Sequence, residues 1–188
     1  MNIQRFFLFS VASVLLFVLA QATELQGLES SSTVASSMDM PPSLTVLAVT
    51  PQIVAEIPLI GQCEATAEFD VQANKPRVRM HVEATELHFT EDPEGTHVSP
   101  IPLDRGEGVV VDTPGATPEG DTRLDFEEES GVLDGFQAWS TEEVVFASDA
   151  PYRFEHRVLV SVTWNQEVHN KPAGSYEGRI KLTCMIEP

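Results

Sequence analysis

The chain has 188 residues, of which 29 are acidic and 11 are basic, and its formal net charge is −18. A strongly negative protein repels nucleic acid and anionic membrane surfaces, which argues against a nucleic-acid-binding function. The length suits one domain, or one domain with a tail, and suffices for a core without dense cross-linking.

The first 22 residues have the three regions of a secretory signal peptide. Arg5 supplies the positive charge, residues 6–20 form the apolar run, and Ala20-Gln21-Ala22 is a small-residue cleavage pattern. The alternative is an uncleaved anchor, because the apolar run is only slightly shorter than the roughly 17–25 residues of a spanning helix. We expect residues 1–22 to be removed and the product to be extracellular or periplasmic, or associated with the cell surface, without a transmembrane segment.

A Ser- and Thr-rich stretch without apolar periodicity follows at residues 23–42, and it predicts a flexible lead-in to a domain at 43–188. The next segment, 44–60, is apolar and contains Pro51 and Pro58, which restrict it to sheet edges or strand starts. Two hypotheses are open for it. It is either an arm that adds a strand to a neighbouring subunit, as in a filament, or the first strand of the domain's own sheet.

Period-two alternation is the clearest pattern in the rest of the chain. It runs through QCEATAEFDV at 62–71, through RVRMHVEAT at 77–85, where the phase slips at Glu86, and through YRFEHRVLVSVTW at 152–164. Strands with one apolar face need a facing layer, so the pattern predicts an all-β, antiparallel sandwich, with a strand end or bulge near Thr85. Residues 152–187 are predicted to form a β-hairpin with a loop at 166–174.

The two cysteines, Cys63 and Cys184, both fall on apolar faces by this alternation. In an exported protein they are expected to pair with each other, since only one connectivity exists. The chain-entropy estimate gives such a bond roughly 4–5 kcal/mol. The alternative is two free buried thiols.

The closing PAGSYEGRIKLT and the earlier ANKPRVRMHVEATELHF resemble turn-and-strand motifs of exported bacterial immunoglobulin-like β-sandwich domains of the fimbrial and cell-surface kind. The resemblance implies an immunoglobulin-like sandwich and partners among other protein subunits or cell-surface components. Chaperone–usher pilins of this general kind commonly have a penultimate Tyr and an early cysteine pair, whereas this chain has Glu187 and a cysteine in the last strand.

The loops at 90–130 are rich in Pro, Gly and acids, which makes them the expected place for specific recognition. Their densest carboxylates are weak calcium candidates, without the spacing of a calcium-binding loop. The candidates are Asp121, Asp125, Glu127, Glu128 and Glu129.

No local motif of a hydrolase, metalloprotease or phosphate-binding loop occurs, and the sequence predicts neither an enzyme nor a cofactor. His156 lies on an apolar face and is expected to be a satisfied structural histidine, with a ligand or pH-sensing role as the alternative. His81 and Glu83 are too few ligands for a specific metal site. The predicted function is a non-catalytic module of structural or interaction type at the cell surface, of pilus or filament kind. The alternatives are a carbohydrate- or calcium-binding module and, below it, an exported hydrolase.

Overall fold

The alternating segments form β-strands in a computed structural model that describes residues 40–49, 57–58, 60–167 and 171–187. Within these ranges there is no helix, and so none that could cross a membrane. The predicted signal peptide at 1–22 and nearly all of the predicted lead-in at 23–42 lie outside them. The strands are β1 (Leu44–Ala48), β2 (Gly61–Ala73), β3 (Arg77–Thr85), β4 (His88–Phe89), β5 (Val109–Asp112), β6 (Ala116–Glu119), β7 (Arg123–Leu124), β8 (Phe126–Leu133), β9 (Phe136–Thr141), β10 (Val144–Ser148), β11 (Phe154–Gln166), β12 (Tyr176–Glu177) and β13 (Ile180–Ile186).

The first sheet is built around the two longest strands. Its order is β1-β2-β11-β5-β7, and β2 pairs with β11 along their whole length, from Ala73 opposite Phe154 to Gly61 opposite Gln166. The other edge of β11 pairs with β5 over Leu159 to Val162. The other edge of β2 pairs with β1 over Phe69 to Ala73.

The second sheet is organised by β3, which pairs with β13 on one edge and with both β9 and β10 on the other. β6 pairs with β10, and β8 pairs with β9, so the sheet curls as a half-barrel. The ladder between β3 and the β9–β10 pair is interrupted at Val82. There the Val82 N–H donates to the Thr141 hydroxyl at 3.1 Å, and that hydroxyl donates to the Glu142 carbonyl at 2.7 Å.

The apolar faces of the strands form one core. The alternation predicted for β2 and β3 is confirmed, and β3 ends at Thr85, as the slip in phase predicted. Trp164 is buried near the end of β11 and donates its indole N–H to the Thr85 carbonyl at 2.9 Å. The fully buried large side chains are Phe146, Phe154, Met80, Ile101, Val71, Val78, Val82, Val109, Val111, Val158, Val160 and Val162. These strands confirm an all-β, antiparallel protein.

The predicted hairpin over 152–187 is wrong. β11 belongs to the first sheet and β13 to the second, where it pairs with β3 from Ile180 opposite Ala84 to Ile186 opposite Val78. One edge of β11 is taken by β2, and near the end that leads towards β13 the other edge is taken by β5 and the loop at 102–108. The alternation also begins later than predicted, since Tyr152 precedes β11 and is 82% exposed.

The predicted disulfide between Cys63 and Cys184 is also wrong, because both cysteines are free. β2 and β3 diverge from the turn at 74–76, and Cys63 lies ten residues before Ala73, which is roughly 33 Å of strand. Cys184 lies opposite Met80, near the start of β3 and only about 10 Å from the same turn. The two are therefore on the order of 20 Å apart, whereas a disulfide needs Cα atoms within about 7 Å.

Candidate interaction surfaces

Three of the five predicted calcium residues, Asp121, Asp125 and Glu127, line a crevice on the edge of the second sheet. After β6 the chain crosses to the first sheet, forms β7 and returns to start β8, which leaves a gap beside the bend between β9 and β10. The crevice has a volume of about 380 Å³. Its charged lining consists of Glu107, Asp121, Asp125, Glu127, Glu142 and Glu143, with Arg123 as the basic residue.

Two of the predicted calcium ligands already accept hydrogen bonds from backbone groups. Asp121 accepts the N–H of Arg123 at 2.9 Å, and Asp125 accepts the N–H of Glu107 at 2.5 Å. These bonds shape the loop that crosses between the sheets, as short acidic side chains commonly do in turns. In the described ranges, no three His, Cys, Asp or Glu side chains converge in a way that could hold a metal ion.

The remaining candidates lie on β8, where Glu127 differs from Glu128 and Glu129. Glu128 is opposite Ser140 and Glu129 opposite Trp139, whereas Glu127 is the extra residue of a bulge. A bulge redirects a side chain, and Glu127 shares a hydrogen bond with the Glu142 carboxyl. This bond, reinforced by repulsion from neighbouring carboxylates, raises the pKa of Glu127.

A second polar crevice of about 430 Å³ lies on the outer face of the first sheet. It is lined by Gln62 and Glu64 of β2 and by Ser161 and Thr163 of β11. The Gln62 amide donates to Asp104 at 2.7 Å and closes one side. Glu107 and Arg123 line both crevices, so the two form one polar surface.

His156 has the surroundings of a structural histidine. Its Nε2 lies 2.8 Å from the Ser148 Oγ in a hydrogen bond, and the same oxygen accepts the Ala150 N–H at 3.1 Å. The Phe154 ring meets the imidazole edge-on, with centroids 4.8 Å apart, and the imidazole also lies against Gly115. These contacts join β10 to β11 and fit the structural interpretation.

The pair His81 and Glu83 gives no metal site either. Glu83 is bound by Lys181 in a salt bridge and by the Ser130 hydroxyl, and together these bonds lower the pKa of Glu83 against the opposing effect of its burial. Its carboxylate is therefore occupied by partners in the second sheet.

Burial raises the pKa of both cysteines, that of Cys184 to about 12. This shift lowers the reactivity of both thiols, since the thiolate is the nucleophile and the metal ligand.

Exposed edge strands are the other candidate surfaces, because an edge presents unpaired backbone groups to other chains. Most edges of this protein carry features that oppose pairing. β6 contains Pro118, β7 is two residues long, and β8 carries three glutamates and two bulges. β13 carries Lys181. Charges, prolines, bulges and short length all discourage the addition of a strand.

β1 is different. Among the described edge strands of four residues or more, it alone has neither a charge, a proline nor a bulge, and it pairs with β2 in a regular register. It lies beside β13. Its Leu47 is 59% exposed and points away from the core next to Asp70 of β2. Asn74 holds the start of the strand, because its carboxamide accepts the Ser43 N–H and donates to the Pro41 carbonyl, each at 2.8 Å.

The pairing of β1 with β2 decides between the two hypotheses for part of the segment 44–60. Leu44–Ala48 is the first strand of the domain's own sheet, and of the rest of the segment, residues 50–56 and 59 lie outside the described ranges.

The hairpin of β8 and β9 is a feature that the sequence reasoning missed. Its two-residue turn is Asp134-Gly135, with φ values of 50° and 93°, as in a type I′ turn. Asp-Gly between residues of β propensity is a recognised hairpin pattern and could have identified this turn from the sequence. The hairpin places Glu127 beside the acidic crevice.

Comparison with known proteins yields no match to a protein family, a curated protein or a solved structure. The interaction surfaces are therefore interpreted from their own geometry alone.

Proposed function

We propose that the chain is a non-catalytic, exported module with an immunoglobulin-like sandwich, which associates with other protein subunits at the cell surface through the edge of β1. The observation that carries the proposal is the uncharged, regular and partly apolar β1 edge in a protein whose other long edges carry features that oppose pairing. Open edges of this kind bind extended segments of partners through main-chain hydrogen bonds.

The geometry favours association over calcium binding. The acidic crevice has many carboxylates, but Asp121 and Asp125 accept backbone hydrogen bonds and Glu127 is hydrogen-bonded to Glu142. A calcium site needs six to eight oxygens directed at one point. Calorimetric titration with Ca²⁺ checks this ranking, and the expected result is no binding heat and no change in melting temperature.

The experiment for the proposed function follows the full-length chain in cells. N-terminal sequencing of the exported product is expected to show cleavage after Ala22. The wild type should be retained at the cell surface, whereas T45E/L47E, with two charges on the outer face of β1, should be released into the medium.

V132E is the matched control. Val132 is 71% exposed on β8, an edge that is already acidic, so this variant should be retained like the wild type. Finding the protein only inside the cell, or equal retention of T45E/L47E, would contradict the proposal.

A further inference from the structure

The free edge of β1 can be assigned residue by residue from its pairing with β2. The Val49 N–H donates to the Glu68 carbonyl at 2.8 Å, and the Asn74 N–H donates to the Ser43 carbonyl at 3.2 Å. In an antiparallel pair, residues bonded to the partner alternate with residues whose N–H and C=O point away from it. Thr45 and Leu47 therefore bond to β2.

The N–H and C=O groups of Leu44, Val46 and Ala48 consequently point to the open side. Although β13 lies near β1, none of these groups has a hydrogen-bond partner across that side among the described residues. They form a row of three donors and three acceptors that is symmetric about Val46.

Charge distinguishes this edge as the one where two copies meet with the least repulsion. The chain has a net charge of −18, so two copies repel each other over most of their surfaces. Residues 40–55 contain no charged side chain, although the chain as a whole has 29 acidic and 11 basic residues. Two copies can therefore approach at β1 with the least repulsion, whereas the acidic β8 edge opposes its own copy.

We propose that β1 pairs with β1 of a second copy in an antiparallel ladder centred on Val46. Leu44 then lies opposite Ala48 of the other copy, and the two Val46 residues face each other, with about six backbone hydrogen bonds in all. The first sheets of the two copies join into one continuous sheet. This inference rests on the proposed function, because it names the partner at the same β1 edge.

The register of this ladder also accounts for the exposed side chain of Leu47. Thr45 and Leu47 of opposite copies form non-hydrogen-bonded pairs, in which side chains lie closest together. Leu47, 59% exposed in the single chain, is covered by this pairing. A ladder of five residues is small for a protein interface, so the dimer forms in a concentration-dependent equilibrium.

The experiment uses two double variants with matched charges, studied by sedimentation velocity across a wide concentration series. T45E/L47E places glutamates opposite each other in both pairs. T45K/L47E places lysine opposite glutamate and keeps the same Glu at position 47 beside Asp70. Thr45 and Leu47 are both exposed in the single chain, so both variants are expected to fold. Thermal melting of both variants checks this.

The wild type, T45K/L47E and the β8 control V132E are expected to dimerise, and T45E/L47E to remain a monomer. A dimer of T45E/L47E, or a T45K/L47E variant that is folded and monomeric, would overturn the β1 register. A monomeric wild type at every concentration would overturn self-pairing. In that case surface retention that depends on β1 would still support the proposed function with a different protein as partner.

Discussion

Replacing Thr141 with Val tests how the second sheet is held together at the interruption between β9 and β10. The Thr141 hydroxyl accepts the Val82 N–H at 3.1 Å and donates to the Glu142 carbonyl at 2.7 Å, and Thr141 is 7% exposed. Val keeps the shape and the β propensity of Thr but leaves the buried Val82 N–H without a partner. Two lost hydrogen bonds and one buried unsatisfied donor cost about 2–3 kcal/mol.

For a domain of this size, that loss lowers the melting temperature by about 4–12 °C. Thermal and urea unfolding measure it directly, with T141S as the control, because Ser keeps the hydroxyl and removes only the methyl group. We expect T141S to lie much closer to the wild type than T141V does. Equal stability of T141V and the wild type would refute the bridging role of the hydroxyl.

Further predictions concern the backbone, the thiols and the acidic crevice. A Cβ at Gly108 would lie 1.8 Å from a backbone carbonyl oxygen, whereas at Gly106 it would meet nothing within 4 Å. The free energy of unfolding in urea should therefore fall by about 3 kcal/mol or more in G108A and by far less in G106A. Equal losses in the two variants would contradict the close approach at Gly108. In the absence of a reductant, Cys63 and Cys184 should both react with a thiol reagent once the protein is unfolded, but not while it is folded. If both stay unreactive after unfolding, they are joined in a disulfide. The pKa of Glu127 is raised in the folded state, so ionisation of its carboxyl removes stability as the pH rises through that pKa. E127Q cannot ionise and should have a higher melting temperature than the wild type at neutral pH. A difference in melting temperature that persists unchanged in acid would contradict this.

The strands with one buried face could be predicted from the sequence. In β2 and β3 the alternation alone identified the buried residues and the end at Thr85, because one face of each strand packs on the core. The pairing partners could not be predicted in the same way. The segments around β11 and β13 are adjacent in sequence and both alternate, but alternation defines a face and does not define the neighbouring strand.

The same limit explains why the predicted disulfide was wrong. Alternation placed Cys63 and Cys184 on apolar faces, and Cys63 is buried while Cys184 is partly buried against the core. Their separation depends on how far each lies from the turn between β2 and β3, which parity does not encode. For the acidic loops, composition identified a cluster of carboxylates, of which three line the crevice, but the bulge that redirects Glu127 arises from the register between β8 and β9.

The most direct test of self-pairing is the hydrogen exchange of the β1 amides, measured residue by residue at low and high protein concentration. The Thr45 and Leu47 amides bond to β2 and should be protected at both concentrations. The Val46 amide should exchange rapidly in the dilute wild type and become protected as the concentration rises, but it should stay unprotected in T45E/L47E. Rapid exchange of Val46 at every concentration, or its protection in T45E/L47E, would contradict the pairing of β1 with a second copy.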